Sequence, residues 1–354
     1  MAPPVGTAPD GPIDFVLLWV DGNDPAWQAS KRHWQEAAGI SVATPAEKDA
    51  NGTCRYNDNG LLRYWFRAVE RFAPWVRRVF FVTCGQRPPW LDDACPRLRV
   101  VSHSDFMPAE RLPVFHAPPI HFSLPLIPDL AERFVLFDDD MFLLQPVTPS
   151  LYFRDGLPVL FPSLILPRYR GDFNWLRNIW NDFYEINSHL DIKWLLRQNA
   201  GKWFNPSTIG FRPAFSNFIR FLFNSHMPVT DFGHLPLPHL KSTFGELWRQ
   251  CPEAVDRTVR ARFRANDQVC QWLAVAWNLA TGRFSPAARP PPDKAVVALR
   301  LDTLESACSI IRGREFKQVC INEFGGTDDP SHCYGRLREA FEDILPGKSS
   351  FERD

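Results

Sequence analysis

The chain has 354 residues, 45% of them hydrophobic and 23% charged, which excludes wholesale disorder and leaves ample length for a large hydrophobic core. Forty basic residues offset forty acidic ones, and a formal charge of zero excludes the broad basic surface that nucleic-acid binding relies on. The eight cysteines form no CxxC pair, which argues against a zinc ribbon.

Residues 1–12 (MAPPVGTAPDGP) lack the basic and apolar segments of a secretory signal, and read as a flexible leader. No apolar run reaches the roughly 20 residues needed to span a bilayer. The expectation is a soluble cytoplasmic protein with free thiols, leaving open a peripheral association with the inner face of the membrane.

Ile13 to Val20 (IDFVLLWV) is a continuous apolar run, as expected of a strand buried on both faces. It ends in the turn formers Asp21-Gly22-Asn23-Asp24-Pro25. Residues 60–73 carry apolar side chains at helical spacing and stop at Pro74. VFFVT (79–83), closed by Cys84-Gly85, LRVVS (98–102) and RFVLF (133–137) read as further strands, the last running into Asp138-Asp139-Asp140. Strands alternating with a helix predict an α/β domain with a mostly parallel sheet flanked by helices, where ligands sit beyond the carboxyl ends of the strands. The rest divides into a largely helical inserted region (166–286) and, after the proline-rich AARPPPDK (287–294), a C-terminal segment (287–354). That segment holds VCINEF (319–324) and a helix near 334–345, and is expected to pack back on the core (13–165), making 13–354 one catalytic domain.

The acidic triplet is the sharpest chemical feature. Adjacent carboxylates repel, so holding three beside a core calls for compensation, and a divalent cation is the usual one. Magnesium and manganese prefer oxygen ligands and bridge to substrate phosphates; the plainer alternative is a solvated loop or helix cap. The loop Asp21-Gly22-Asn23-Asp24 suits a nucleotide at a strand end or an ordinary β-turn. His234 and His239 offer either a base working near neutral pH or structural imidazoles. Arg262-Phe263-Arg264 followed by Asp267 would set two guanidinium groups on one side of an extended strand, matching phosphate oxygens or forming a solvated basic edge. Arg63 and Arg67 share a helix face, as surface charges often do. The chain contains no Walker motif, GxGxxG, GxSxG elbow or HExxH.

These fragments, in this order, resemble the Stealth family. The matching stretches are IDFVLLWVDGNDPAW (13–27), RYNDNGLLRYWFRAVERFAPWVRRVFFVTCGQRPPWL (55–91) with VVSHSDF (100–106), LPVF (112–115) and FVLFDDDMF (134–142), GHLPLPHLKS (233–242) with RFRAND (262–267), VCINEF, and LPGKSSFE (345–352). The resemblance implies a Rossmann-like core akin to GT-A glycosyltransferases. It implies transfer of a hexose-1-phosphate from a nucleotide-sugar to a polysaccharide or glycan acceptor, by default N-acetylglucosamine-1-phosphate from UDP-GlcNAc with release of UMP. Asp139 and Asp140 fall at the family's metal positions for Mg2+ or Mn2+, His234 at its histidine, and Arg264, with Arg262, at its phosphate-side arginines. Asp21, Gly22, Asp24, Asp58, Asn59, Arg63, Gly85, Asp267 and Asn322 fall in the substrate-side segments. Leu61, Cys84, Asp138, His121 and Glu323 depart from the family pattern, His121 standing where a glutamate is usual. Two other readings stay open: a GT-A-type enzyme moving only the sugar, and an inactive binding member.

Overall fold

The computed structural model describes residues 11–40, 56, 60–165, 174–224, 226–228, 230, 233–288, 294–299, 302–323 and 330–353. Most of the leader, Asp58, Asn59, the centre of the proline-rich stretch and Phe324 lie outside the described residues.

Strand β1 (Ile13–Leu18) opens the fold and gives way to helix α1 (Pro25–Ala37). Asp24 caps α1, its carboxylate accepting from the Ala26 N–H, and Pro25 fits the first turn, where no amide donor is needed. Helix α2 (Leu62–Phe72), β2 (Val79–Thr83), β3 (Leu98–Ser102), α3 (Ala117–Ser123) and β4 (Arg133–Phe137) follow. Their order in the sheet is β3-β2-β1-β4, all parallel.

Both faces of this sheet are covered, and the side chains alternate between two cores. Phe15, Leu17, Phe81, Val135 and Phe137 point to one. Val16, Phe80, Val82, Phe134 and Leu136 point to the other. This is why the strands read as unbroken apolar runs instead of alternating ones. Helix α2 fills the first core with Trp65, Phe66, Val69 and Phe72.

Strand β5 (Met141–Leu143) begins one turn after β4 but belongs to a different sheet. A small hairpin, β6 (Phe153–Arg154) and β7 (Leu157–Leu160), follows. Next come α4 (Asn174–His189), α5 (Ile192–Gln198), α6 (Ala200–Trp203), α7 (Pro206–Ile209) and α8 (Phe211–Phe223). The helical run is then interrupted. Strand β8 (Leu237–Leu240) pairs antiparallel with β4 and completes the five-stranded sheet, so the inserted region supplies an edge of the central sheet. Helices α9 (Lys241–Gln250), α10 (Pro252–Arg260) and α11 (Trp272–Ala280) pack behind it, and β9 (Ser285–Pro286) joins β7.

The C-terminal segment holds β10 (Lys294–Leu299), α12 (Leu304–Gly313), β11 (Gln318–Glu323) and α13 (Pro330–Ile344). β11 lies between β10 and β5, antiparallel to the latter, and ties the C-terminus to the stretch that follows the acidic triplet. The last residues close on α2. Phe351 packs against Phe66 at 5.2 Å, and Glu352 accepts from Arg67 at 2.8 Å. Arg67 is therefore not a surface charge. It is buried, bonded also to Glu342 and to the Leu345 carbonyl. Among the described residues no helix is long and apolar enough to cross a membrane.

Candidate active site

The acidic triplet occupies the crossing between the two sheets. Parallel register sets Leu17 beside Phe137, so β4 delivers Asp138–Asp140 at the same sheet edge where β1 ends in the Asp21–Asp24 loop. The backbone of Asp140 is fixed from the other sheet, its carbonyl accepting from the Ile321 N–H at 2.8 Å. Its side chain is the meeting point of the site. Cys320 Sγ–H donates to Oδ2 at 3.3 Å, and His234 Nε2 stands 3.7 Å from the same oxygen. Oδ1 is buried without a hydrogen-bond partner. Burial, with the Asp140, Asp138 and Asp139 charges adding, pushes the Cys320 thiol well above its ordinary value. Cys320 and Asn322 share a face of β11, since strand side chains alternate, so Asn322 lies on the triplet's side.

The Asp21–Asp24 loop is held in place by a glutamine just beyond the end of β2. Gln86 accepts from the Asp21 N–H at 2.8 Å, and its amide donates to the Asp21 carbonyl at 3.0 Å and to Asp24 Oδ2 at 2.9 Å. That bond, with the one from the Ala26 N–H, holds the Asp24 carboxyl below its usual range. Gly85, at φ +100, makes the turn that presents Gln86, a conformation that penalises a side chain. Gly22 is required for another reason: a Cβ there would meet the carbonyl of Tyr56, which accepts the Gly22 N–H at 2.7 Å. Gly85 is among the expected site residues, whereas Gln86 is not. The signal was present in a polar side chain placed directly after a strand-ending glycine. Cys84 is half-buried, and the loss of solvent pushes its thiol up to about 11.

Separate motifs meet through an aromatic relay. The Tyr56 hydroxyl donates to the Phe115 carbonyl at 2.9 Å, and Phe115 stacks on Phe263 at 5.0 Å. The Phe115 N–H donates to the Arg262 carbonyl at 2.8 Å. Residues 262–264 follow the end of α10 in a bend and not in the expected extended strand. The strand reading fails because Phe263 is pulled into the core by Phe115, turning the chain around it. Arg262 lies with its guanidinium 4.0 Å from the Trp34 ring and donates to the Leu112 carbonyl at 3.0 Å. Arg257 donates to the Asp267 carbonyl at 2.9 Å and faces its carboxylate at 3.7 Å. Arg264 is half-buried, and its charge acts on His116, His121 and Cys270. His121 and His239 are buried, and burial lowers each to about 3. Of the two histidines in the GHLPLPH stretch, His234 is therefore the one at the site. Arg63 sits over Trp90 at 5.4 Å, and no described contact joins it to the triplet.

Comparison with known proteins identifies the family. A family model described as Stealth protein CR1, conserved region 1, matches residues 11–35, and Stealth protein CR2, conserved region 2, matches residues 55–159. Capsular polysaccharide phosphotransferase WcwK of Streptococcus pneumoniae is 34% identical over 342 residues, 96% of this chain and 99% of the relative. Receptor polysaccharide phosphotransferase WefC of Streptococcus oralis is 34% identical over 346 residues, with the same shares. Among solved structures, mouse Xyloside xylosyltransferase 1 matches over 88% of this chain and 97% of its own, at 10% identity and a TM-score of 0.34. The class is thus that of transferases in cell-surface polysaccharide synthesis, built on a mostly parallel α/β sheet. The chain belongs to the Stealth family of polysaccharide phosphotransferases.

Proposed function

We propose that the chain moves a hexose-1-phosphate from a nucleotide-sugar to a hydroxyl of a polysaccharide acceptor, with N-acetylglucosamine-1-phosphate from UDP-GlcNAc the first donor to try. The observation that supports this best is the Asp140 carboxylate, which faces a histidine nitrogen with one oxygen and leaves the other buried and unpartnered. A buried anionic oxygen without a donor is costly unless a cation or donor meets it, so the residues fit a hard divalent cation. Mg2+ or Mn2+ held by Asp139 and Asp140 would supply charge neutralisation at the donor diphosphate.

The remaining roles belong to the chain itself. His234 Nε2 takes the proton of the acceptor hydroxyl. The acceptor oxygen bonds to the phosphorus next to the sugar as the bond from that phosphorus to the bridging oxygen breaks, and UMP leaves with that oxygen. Phosphoryl transfer asks mainly for positioning and electrostatic support. Arg264 holds phosphate oxygens, while Arg262 and Asp267, engaged with Trp34, Leu112 and Arg257, fix the loop that carries it. Asp21, Gly22, Asp24 and Gly85, locked by Gln86, shape the nucleotide side, with Asn322 on the triplet's face. Asp58, Asn59 and Arg63 are assigned to the donor side by family position alone.

The test is incubation of the purified chain with magnesium, an acceptor and a panel of nucleotide-sugars, followed by chromatography of the released nucleotide. Release of a nucleoside monophosphate supports the proposal. Release of a diphosphate would assign the chain to sugar transfer, and no release from any donor would favour an inactive binding member.

A further inference from the structure

Helix α8 is apolar on its outer side as well as where Ala214 and Phe221 meet the core. Phe211, Phe215, Phe218 and Leu222 recur at helical spacing on its outer side and all are exposed, with Phe223 beside them at 82%. The rings of Phe211 and Phe215 lie nearly parallel at 6.1 Å and make a flat apolar front. The inner side is held by a polar residue. Buried Asn217 donates to the carbonyls of Pro162 and Trp203, at 2.5 and 3.0 Å, and accepts from the Leu164 N–H at 2.9 Å. Rotating the helix to hide its phenylalanines would break all three bonds and leave a buried amide unpaired. The outward face is therefore fixed by the fold. A contiguous apolar front of this kind marks a contact site.

Charge tells what the contact is. From Ile192 to Thr230 the sequence holds no acidic residue, while Lys193, Arg197, Lys202, Arg212 and Arg220 are all basic. Arg212 and Arg197 are exposed, and Trp194, between Lys193 and Arg197 on α5, is exposed at 56%. Lys193 donates to the Phe221 carbonyl, so α5 and its cations border α8 directly. Symmetric pairing of this face with a second copy would bring like charges together across the interface. An anionic lipid surface meets both features, the aromatic front and the cationic border. At 13 residues α8 is too short to span a bilayer, so it fits the plane of the interface.

We propose that α8 lies flat on an anionic phospholipid surface, sinking Phe211, Phe215, Phe218, Leu222 and Phe223 among the acyl chains while Arg197 and Arg212 stay with the headgroups. Vesicle binding needs no donor, so its success or failure is independent of the phosphotransferase reading.

Co-sedimentation of the full chain with vesicles of phosphatidylcholine alone, and of an equimolar mixture with phosphatidylglycerol, tests the proposal. The expected result is binding to the mixed vesicles that falls at least about tenfold with phosphatidylcholine alone or at high salt. The double variant Phe215→Asp/Phe223→Asp should bind the mixed vesicles at least about tenfold more weakly, with unchanged circular dichroism and unchanged donor turnover. Three results would overturn it: no binding to mixed vesicles at low salt, equal binding by the double variant, or a wild-type dimer that the double variant converts to monomer without any vesicle binding.

Discussion

Asp140 and His234 share an oxygen-to-nitrogen contact of 3.7 Å yet are assigned different tasks, and kinetics can separate them. Asp140→Asn keeps the shape but removes the charge. It is expected to abolish turnover and to weaken magnesium-dependent donor binding by calorimetry. His234→Ala leaves the carboxylates in place, so donor affinity should hold while kcat falls by about 10²–10⁴, the usual worth of a positioned base. Near-normal kcat in His234→Ala would remove it from that role. Gln86 acts one step back. Gln86→Ala frees the Asp21–Asp24 loop from β2, and loss of hydrogen bonds that include one to a charged group is worth about 1.5–3 kcal/mol. The expected signature is a donor KM raised about tenfold or more with kcat nearly unchanged. A fall in kcat alone would place Gln86 elsewhere in the mechanism.

At the scale of elements, the tail that closes on α2 is held by a buried charge cluster. Arg67 stands between Glu352, nearly buried, and Glu342, half-exposed. Burial raises the Glu352 carboxyl, but the bonds from Arg67 and Ser349 outweigh it and the net shift is downward. Arg67→Ala should cost about 3–5 kcal/mol in urea unfolding, because it leaves the buried Glu352 carboxylate without its counter-charge, with only the Ser349 bonds remaining. Arg67→Met combined with Glu352→Gln should cost less than Arg67→Ala; an equal or larger loss would show that packing, not charge, dominates. This pairing across most of the chain could not be read from the sequence, where α2 looks like a helix with ordinary exposed arginines. The strands and α2 were legible because burial on two faces writes continuous apolar runs and helical spacing directly into the residues. The triplet was legible because three adjacent aspartates after such a run have few explanations. Long-range partners were not. Nothing local to Phe263 announces that Phe115 will bend its segment, and nothing local to Gln86 announces its bonds to Asp21 and Asp24. β8, with two prolines beside its apolar residues, gives too weak a period to betray an edge strand.

The whole molecule carries several histidines that fold as neutral groups, and this sets its response to acid. Burial lowers His103 to about 4, and His116, His121 and His239 to about 3 each. In the unfolded chain each titrates near 6.5. Below that value the unfolded state binds protons that the folded state does not, so stability falls as pH drops. At about pH 5 the loss is roughly 2 kcal/mol per fully buried histidine. Asp182 opposes this: burial raises its carboxyl well above the usual range, so its contribution is present in acid and lost as pH rises through the folded value. Four histidines outweigh one aspartate in the window between about pH 6.5 and pH 4. Urea midpoints should therefore decline steadily from about pH 7.5 to about pH 5. His239 gives the decisive variant. Its ring stacks on Phe134 at 5.6 Å, and neither ring nitrogen has a hydrogen-bond partner. His239→Phe keeps an aromatic ring on Phe134 and removes the proton acceptor. Its stability at about pH 5 should exceed that of the parent by roughly 2 kcal/mol, with a correspondingly shallower slope toward acid. A slope equal to the parent's would mean that His239 takes up its proton within the folded state, and that the core around β8 admits water.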